Sequence, residues 1–268
     1  RYGSGQSPEL ARQQAEKEAR NLKQAIYSPQ QRQIQALASN PLLVTALAIV
    51  FHRRGRLPEQ RASLYRQTLK ILIDDWQRDR QERDRQDRQV QQIQERTGFS
   101  TDELIYVLSP LAAHIHAHYA TGLIQEPELR EVLSENLAQL SQYQGQAEQP
   151  GFKHKIEQFL RVLREDVGLL AARGEYLYGF LHLTFQEYLA ALFLVRDKST
   201  AAEEIIQRMD DPRWREPILL AFGHVGTTWS VQSRDQLIRA ILNADDPLSD
   251  LLPRAPLLIA GAISEMPD

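Results

Sequence analysis

LLAARGEYLYGF, residues 169–180, is the clearest strand pattern in the chain. Apolar and aromatic residues stand on both sides of the pair Arg173-Gly174. A glycine at the second position of a two-residue turn accepts the positive φ that a tight hairpin requires. We therefore predict a short β-hairpin, with strands at 169–172 and 176–180 and the turn between them.

Three helices are predicted before the hairpin and a fourth after it. They cover about residues 100–119, 127–140, 152–165 and 184–195. The first begins with Ser100 and Glu103, which have the spacing of a capping box. Thr184 and Glu187 repeat this pattern at the start of the fourth. Three helices followed by a hairpin is the order of a winged helix, so we predict a winged-helix domain at 100–197.

The segments on either side are also predicted to be helical. Residues 42–51 are apolar nearly all round a helix, which is typical of the buried centre of a helical bundle. We assign residues 1–80 to this helical domain. A mixture of Gln, Arg, Asp and Glu at 81–99 predicts a charged helix or linker. Apolar faces in 198–268 predict a second helical or HEAT-like region, which we expect to be incomplete.

The predicted fold is therefore mainly α: a helical bundle, a winged-helix domain with a short β-hairpin, and α-solenoid-like helix pairs. The charges, 32 Lys and Arg against 35 Asp and Glu, exclude a general attraction to nucleic acid or anionic membranes. The chain has no cysteine and no apolar leader at its start. We expect a cytoplasmic protein without a membrane partner, of which this chain is one part.

Residue patterns for common catalytic chemistry are absent from the sequence. The phosphate-binding loop G-x-x-x-x-G-K-[ST] has no counterpart, and neither G-x-S-x-G nor H-E-x-x-H occurs. His114 and His118, with His116 between them, would share a helix face at a spacing that can bind a metal, but two side chains rarely make a specific site. We therefore predict no catalytic residue and no metal site, and interpret these histidines as polar positions of an amphipathic helix.

His182 is the strongest candidate for a binding residue. It lies in FLHLTFQEYLAA, residues 180–191, at the predicted junction of the hairpin and the next helix. The backbone N–H groups and the dipole of a helix start favour an anion, and an imidazole there can donate a hydrogen bond to a phosphate. The residues alone leave open whether His182 contacts a ligand or is a boundary histidine satisfied by the backbone.

Several segments together carry a family resemblance. NPLLVTAL at 40–47, followed by GRLP at 55–58, resembles the helical domain that follows the nucleotide-binding fold in NACHT proteins, which are STAND switch ATPases. The segment 180–191 resembles the winged-helix signature of that family. DPRWRE at 211–216 resembles the start of the helical region that often follows. The similarity covers residues 34–220.

This resemblance implies a nucleotide-dependent switch. Pro41 would pack near the adenine, and His182 would contact the β-phosphate of ADP and so latch the winged helix against the nucleotide domain at rest. Exchange for ATP would release the arms, after which the protein would oligomerise and drive an effector, often in defence signalling. ADP or ATP with magnesium would be held by an adjoining nucleotide-binding domain, a slow ATPase. This chain would be its regulatory arm, without enzymatic activity or tight nucleotide binding of its own.

Two other functions remain open from the residues. The third predicted helix could enter the major groove of DNA. Its basic residues are Lys153, His154, Lys155, Arg161 and Arg164. Glu157, Glu165 and Asp166 dilute this patch, so nucleic acid is the less favoured partner. Alternatively, the helix pairs at the end of the chain could present a concave surface to another protein.

Overall fold

The computed structural model of the chain describes residues 8–83, 100–140, 150–161, 163–164, 169–245 and 252–266. These residues belong to two compact units, Arg1–Ile71 and Leu72–Asp268. Most of the charged segment predicted at 81–99 lies outside the described residues, as do Glu165 and Asp166. Within the described part of the chain, no helix combines the length and the apolar content needed to cross a membrane.

The first unit is a set of helices around an apolar core. Its described elements are α1 (Pro8–Ile26), a 3₁₀ turn (Pro29–Gln31), α2 (Arg32–Leu37), α3 (Pro41–Arg54) and the first part of α4 (Arg61–Arg83). Both α1 and α3 begin at a proline, whose fixed φ suits the first helical position. Ile34 of α2, Leu47 of α3 and Leu69 of α4 are completely buried. The helical packing predicted for this part of the chain is confirmed.

α3 is buried on one face rather than all round. Leu43, Ala46, Leu47 and Val50 are buried, whereas Thr45 is exposed. The burial predicted for this helix is therefore found on one of its faces. A helix with neighbours on one side only buries one stripe of side chains, and its other apolar residues stay partly at the surface.

The second unit contains the winged helix and the helices that follow it. After the last part of α4, its described elements are α5 (Thr101–His118), β1 (Leu123–Gln125), α6 (Glu126–Ala138), α7 (Pro150–Arg161), β2 (Leu170–Gly174), β3 (Leu177–Phe180) and α8 (Leu183–Leu194). They are followed by α9 (Ala201–Ile206), a second 3₁₀ turn (Pro212–Trp214), α10 (Arg215–Thr228), α11 (Val231–Leu242) and α12 (Arg254–Ile263). Ser100 caps α5 and forms the predicted capping box with Glu103. The predicted order of three helices, hairpin and helix is confirmed.

The sheet has three strands where the sequence predicted two. β3 pairs antiparallel with β1 on one side and with β2 on the other. β1 has only three residues, which is too short for an alternating pattern to appear in the sequence. Gly179 of β3 allows this pairing, because a Cβ there would lie 2.8 Å from the carbonyl oxygen of Gly122 and 2.9 Å from Leu123 Cδ2.

The hairpin turns at residues 175–176, so the predicted turn at 173–174 is wrong. β2 runs two residues further than predicted, with an irregular register near its end. The positive φ, 59°, falls on Tyr176 and not on a glycine. Leu170 pairs with Phe180, and both are buried. A turn at the predicted place would separate them, and burial of one sheet face specifies the register strongly.

α8 is the centre of the second unit. It packs against α5 and against α10, and its residues Phe185, Tyr188 and Leu189 are buried. Ile218 and Phe222 of α10 are buried too, as the apolar spacing predicted. α11 packs against α9 and α12, and α12 also contacts α10. The winged helix and the helices after it are therefore joined through α8 and α10.

The close approach of main chain at Gly179 predicts that a larger residue at this position destabilises the fold. Gly179→Ala should lower the free energy of unfolding by about 1–3 kcal/mol, because the added methyl must displace backbone. Gly151→Ala is the matched control, since a Cβ on that α7 residue meets nothing within 4 Å. Chemical denaturation measures both changes. Equal effects of the two substitutions would contradict the steric explanation.

Candidate functional site

The start of α8 forms the candidate site, and His182 is its N-cap. His182 Nδ1 accepts a hydrogen bond from the backbone N–H of Thr184 at 3.2 Å and lies 2.9 Å from Thr184 Oγ1. The His182 carbonyl oxygen accepts from the N–H of Phe185 at 3.1 Å. The predicted capping box of Thr184 and Glu187 is therefore wrong, because the helix begins at Leu183 and the capping side chain stands just before it.

The cap needs a ring nitrogen that can accept a hydrogen bond. A neutral imidazole whose Nδ1 accepts a hydrogen bond carries its proton on Nε2. Nδ1 of His182 thus serves the backbone, while Nε2–H is a hydrogen-bond donor at the start of the helix. The sequence left open a backbone role and a ligand role for this histidine, and the structure shows the backbone role.

Large apolar side chains adjoin His182 at the surface. Its chain neighbours Leu181 and Leu183 are 42% and 55% exposed, while His182 itself is half-buried. Burying a leucine stabilises a protein by about 1.5–3 kcal/mol. A polar group between two exposed leucines is therefore well suited to a face that another surface covers.

Pro41 is the first residue of α3 and is exposed. The Thr45 hydroxyl donates to its carbonyl oxygen at 3.0 Å, which holds the first turn of the helix. The exposed pyrrolidine ring of Pro41 offers a small apolar surface. Pro41 belongs to the first unit and His182 to the second.

Two of the three histidines of α5 make local contacts. His114 Nε2 lies 2.7 Å from Glu128 Oε1, and the Tyr119 hydroxyl donates to the other oxygen of that carboxylate. The hydrogen bonds from Tyr119 and His114 hold the pKa of Glu128 below its ordinary value. His118 Nδ1 lies 2.9 Å from the His114 carbonyl oxygen. No group of three or more His, Asp or Glu side chains in the described ranges could hold a metal ion.

His116 points into a junction that the sequence did not reveal. It is 8% exposed, and its Nε2 lies 2.9 Å from the carbonyl oxygen of Arg213. Its Nδ1 lies 3.4 Å from Gln186 Nε2, and its ring meets the Trp214 ring edge-on at 4.8 Å between centroids. The partners on other elements are 70 and 97 positions away along the chain, so no local pattern could have predicted the junction.

Part of the basic patch near α7 is used inside the unit. Arg164 donates to the Tyr178 hydroxyl at 2.9 Å, and that hydroxyl donates to Glu126 at 3.0 Å. Arg130 pairs with both Glu126 and Glu157. Arg164 therefore faces the hairpin, and Glu157 stays on the outer face, 52% exposed. The exposed basic residues of this patch are Lys153, His154, Lys155 and Arg161.

Comparison with known families identifies the central part of the chain. The model of the family described as "Winged helix-turn-helix domain C-terminal to NACHT" matches residues 61–194. The match begins within α4 and ends with α8, so it includes the hairpin and His182. No curated protein and no solved structure matches the chain. The predicted resemblance to NACHT proteins is confirmed by the family match.

The N-cap assignment predicts different effects for two small substitutions at His182. His182→Ala removes the capping acceptor and should lower the free energy of unfolding by about 0.5–2 kcal/mol. His182→Ser removes the ring but supplies a hydroxyl that caps well, so most of the stability should remain. Denaturant titration of both variants measures the difference. Equal losses would show that the ring does not act as a cap.

Proposed function

Because this chain belongs to the family of winged helix-turn-helix domains C-terminal to NACHT, we propose that it is the regulatory arm of a nucleotide-dependent signalling switch. It would work beside a NACHT domain that binds ADP or ATP with magnesium and acts as a slow ATPase. The arm itself would catalyse no reaction, and the active form of the protein would oligomerise. His182 at the N-cap of α8 supports this role most directly.

His182 would contact the β-phosphate of ADP. Two features suit this contact: the ring is positioned by its cap, and the positive end of the α8 dipole lies beside it. A hydrogen bond to a charged partner contributes about 1.5–3 kcal/mol. Pro41 would contribute an apolar surface for the adenine.

One such contact is too weak to operate the switch alone. A nucleotide shifts a two-state equilibrium only by the difference in its affinity for the two states, and a change from 1:99 to 99:1 needs about 5.5 kcal/mol. Covering the exposed parts of Leu181 and Leu183 would stabilise the resting arrangement whichever nucleotide is bound. The rest of the nucleotide-dependent difference would therefore come from the NACHT domain itself. We place that domain over Leu181, His182 and Leu183 in the resting state.

A DNA-binding winged helix is the alternative, since exposed basic residues do lie on α7. Two contacts weigh against it. Arg164 is engaged by Tyr178, and the Glu157 carboxylate lies on the same outer face as the basic residues.

A protein-binding scaffold is a further function, and it is compatible with the switch. Leu252, Leu257 and Ile263, near or within α12, are exposed and could contact a partner.

The switch role predicts that ADP retention depends on the His182 ring. In the protein that carries this chain with its NACHT domain, His182→Ser should raise the ADP dissociation rate by about tenfold to a hundredfold, which corresponds to the loss of one charged hydrogen bond. Since serine keeps the cap, destabilised folding does not explain the change. Stopped-flow release of a fluorescent ADP analogue measures this rate.

His118→Ser is the matched control for this experiment. It replaces a histidine by the same residue at an exposed position of α5, and ADP release should stay at the wild-type rate. Wild-type ADP release from the His182→Ser protein would remove His182 from the switch mechanism.

The two functional alternatives also differ in DNA affinity. Fluorescence anisotropy with duplex DNA at moderate salt should show no submicromolar binding, because phosphate contacts need a denser basic face than α7 offers. Submicromolar binding that falls with added salt, and that is lost on Lys153→Glu with Arg161→Glu, would instead establish a DNA-binding role.

A further inference from the structure

His116 holds three elements of the second unit together. From the end of α5, its Nε2–H donates to the Arg213 carbonyl oxygen in the second 3₁₀ turn, and its Nδ1 accepts from the Gln186 amide on α8. This pair of bonds requires one neutral tautomer, with the proton on Nε2 and none on Nδ1. The side chains of His116 and Gln186 are both buried, so solvent hardly reaches these two hydrogen bonds.

The second 3₁₀ turn is fixed to α5 by further contacts around this histidine. Arg213 donates to the Ala117 carbonyl oxygen at 3.3 Å. The buried Trp214 ring packs on His116, and the Arg208 guanidinium lies 5.0 Å from the centre of that tryptophan ring. Since this turn leads directly into α10, the contacts at His116 fix the start of α10 against α5, in addition to the apolar packing of α10 on α8.

A second proton on His116 would disrupt this junction. Nδ1–H would then face the Gln186 N–H₂ group, so that two donors meet, and a positive charge would be enclosed. Burial is the main reason that the pKa of His116 lies below its ordinary value of 6.5. The hydrogen bond to the Arg213 carbonyl oxygen and the Asp211 carboxylate both favour the charged ring, whereas the Arg213 guanidinium opposes it.

The neighbouring elements do not compensate the charge in full, since the pKa of His116 stays below its ordinary value. Asp211 is already bound by the Arg213 guanidinium through contacts of 2.6 to 3.1 Å. α8 presents the neutral amide of Gln186 to the ring. Beyond Trp214 stands another cation, Arg208.

We propose that His116 is a proton-sensitive lock that holds the second 3₁₀ turn and α10 on the winged helix and releases them on acidification. In a released state the ring would be hydrated and would bind a proton near pH 6.5. The lock is therefore complete above about pH 6.5 and weakens as the pH falls toward the lower pKa of the enclosed ring, because the released state binds more protons in that range. Acid would thus uncouple the later helices from the winged helix independently of any nucleotide.

Hydrogen exchange tests the lock in the chain as it is. Exchange of the backbone amides of α10 is measured at about pH 7.5 and about pH 5.5, which lie on either side of the ordinary histidine pKa. The amides of α7 serve as the reference, and all rates are corrected for intrinsic exchange. Acid should lower the protection of α10 several-fold and leave α7 unchanged. His116→Gln, which cannot titrate, should abolish this difference, whereas His118→Gln at an exposed position of the same helix should retain it.

Gln186→Glu provides a second test, in which acid is expected to preserve the protection of α10. A carboxylate facing His116 favours the protonated ring, so α10 should keep its protection in acid. Unchanged protection of α10 in the wild-type chain between the two pH values would overturn the proposal, and so would acid sensitivity that persists in His116→Gln. If His116→Gln fails to fold, the comparison of Gln186→Glu with the wild type decides alone.

Discussion

A helix that is apolar around most of its circumference cannot lie on a protein surface, and α8 is such a helix. α5 covers one of its sides and α10 another, with Phe185, Tyr188 and Leu189 buried between them. The hairpin leads into α8 and the later helices pack onto it through α10. The burial of this one helix therefore sets the positions of the sheet, of α5 and of the helices that follow.

The polar side chains on or beside α8 affect stability strongly because their surroundings are mostly apolar. Each must have a partner, since an unsatisfied polar group in such a place costs about 1–3 kcal/mol. Gln186 meets His116, the Tyr188 hydroxyl lies 3.4 Å from His224 Nδ1, and His182 satisfies the first turn. The family match includes His182 at the helix start, Gln186 bonds to α5 within the winged helix, and Tyr188 reaches α10 behind it.

Patterns within about ten residues predicted the helices, the hairpin and the box at Ser100 correctly, because capping and apolar spacing are local. The cap of α8 was missed since the Thr184 pattern matches a common box, whereas imidazole is a rarer capping group. The turn at Tyr176 depends on which side chains the sheet buries, and the turn residues themselves do not reveal this. His116 could not be placed at all, because its partners come from α8 and from the turn before α10. The predicted roles of His182 and Pro41 in nucleotide binding remain predictions.

The contact between Gly122 and Gly179 has a mechanical consequence. A Cβ at Gly179 would lie only 2.8 Å from the Gly122 carbonyl oxygen, so the two main chains meet here with no room for a larger residue at position 179. Gly122 follows the end of α5 by four residues, and Gly179 precedes His182 by three. A shift of β3 at Gly179 would therefore press directly on the main chain at Gly122, just after α5.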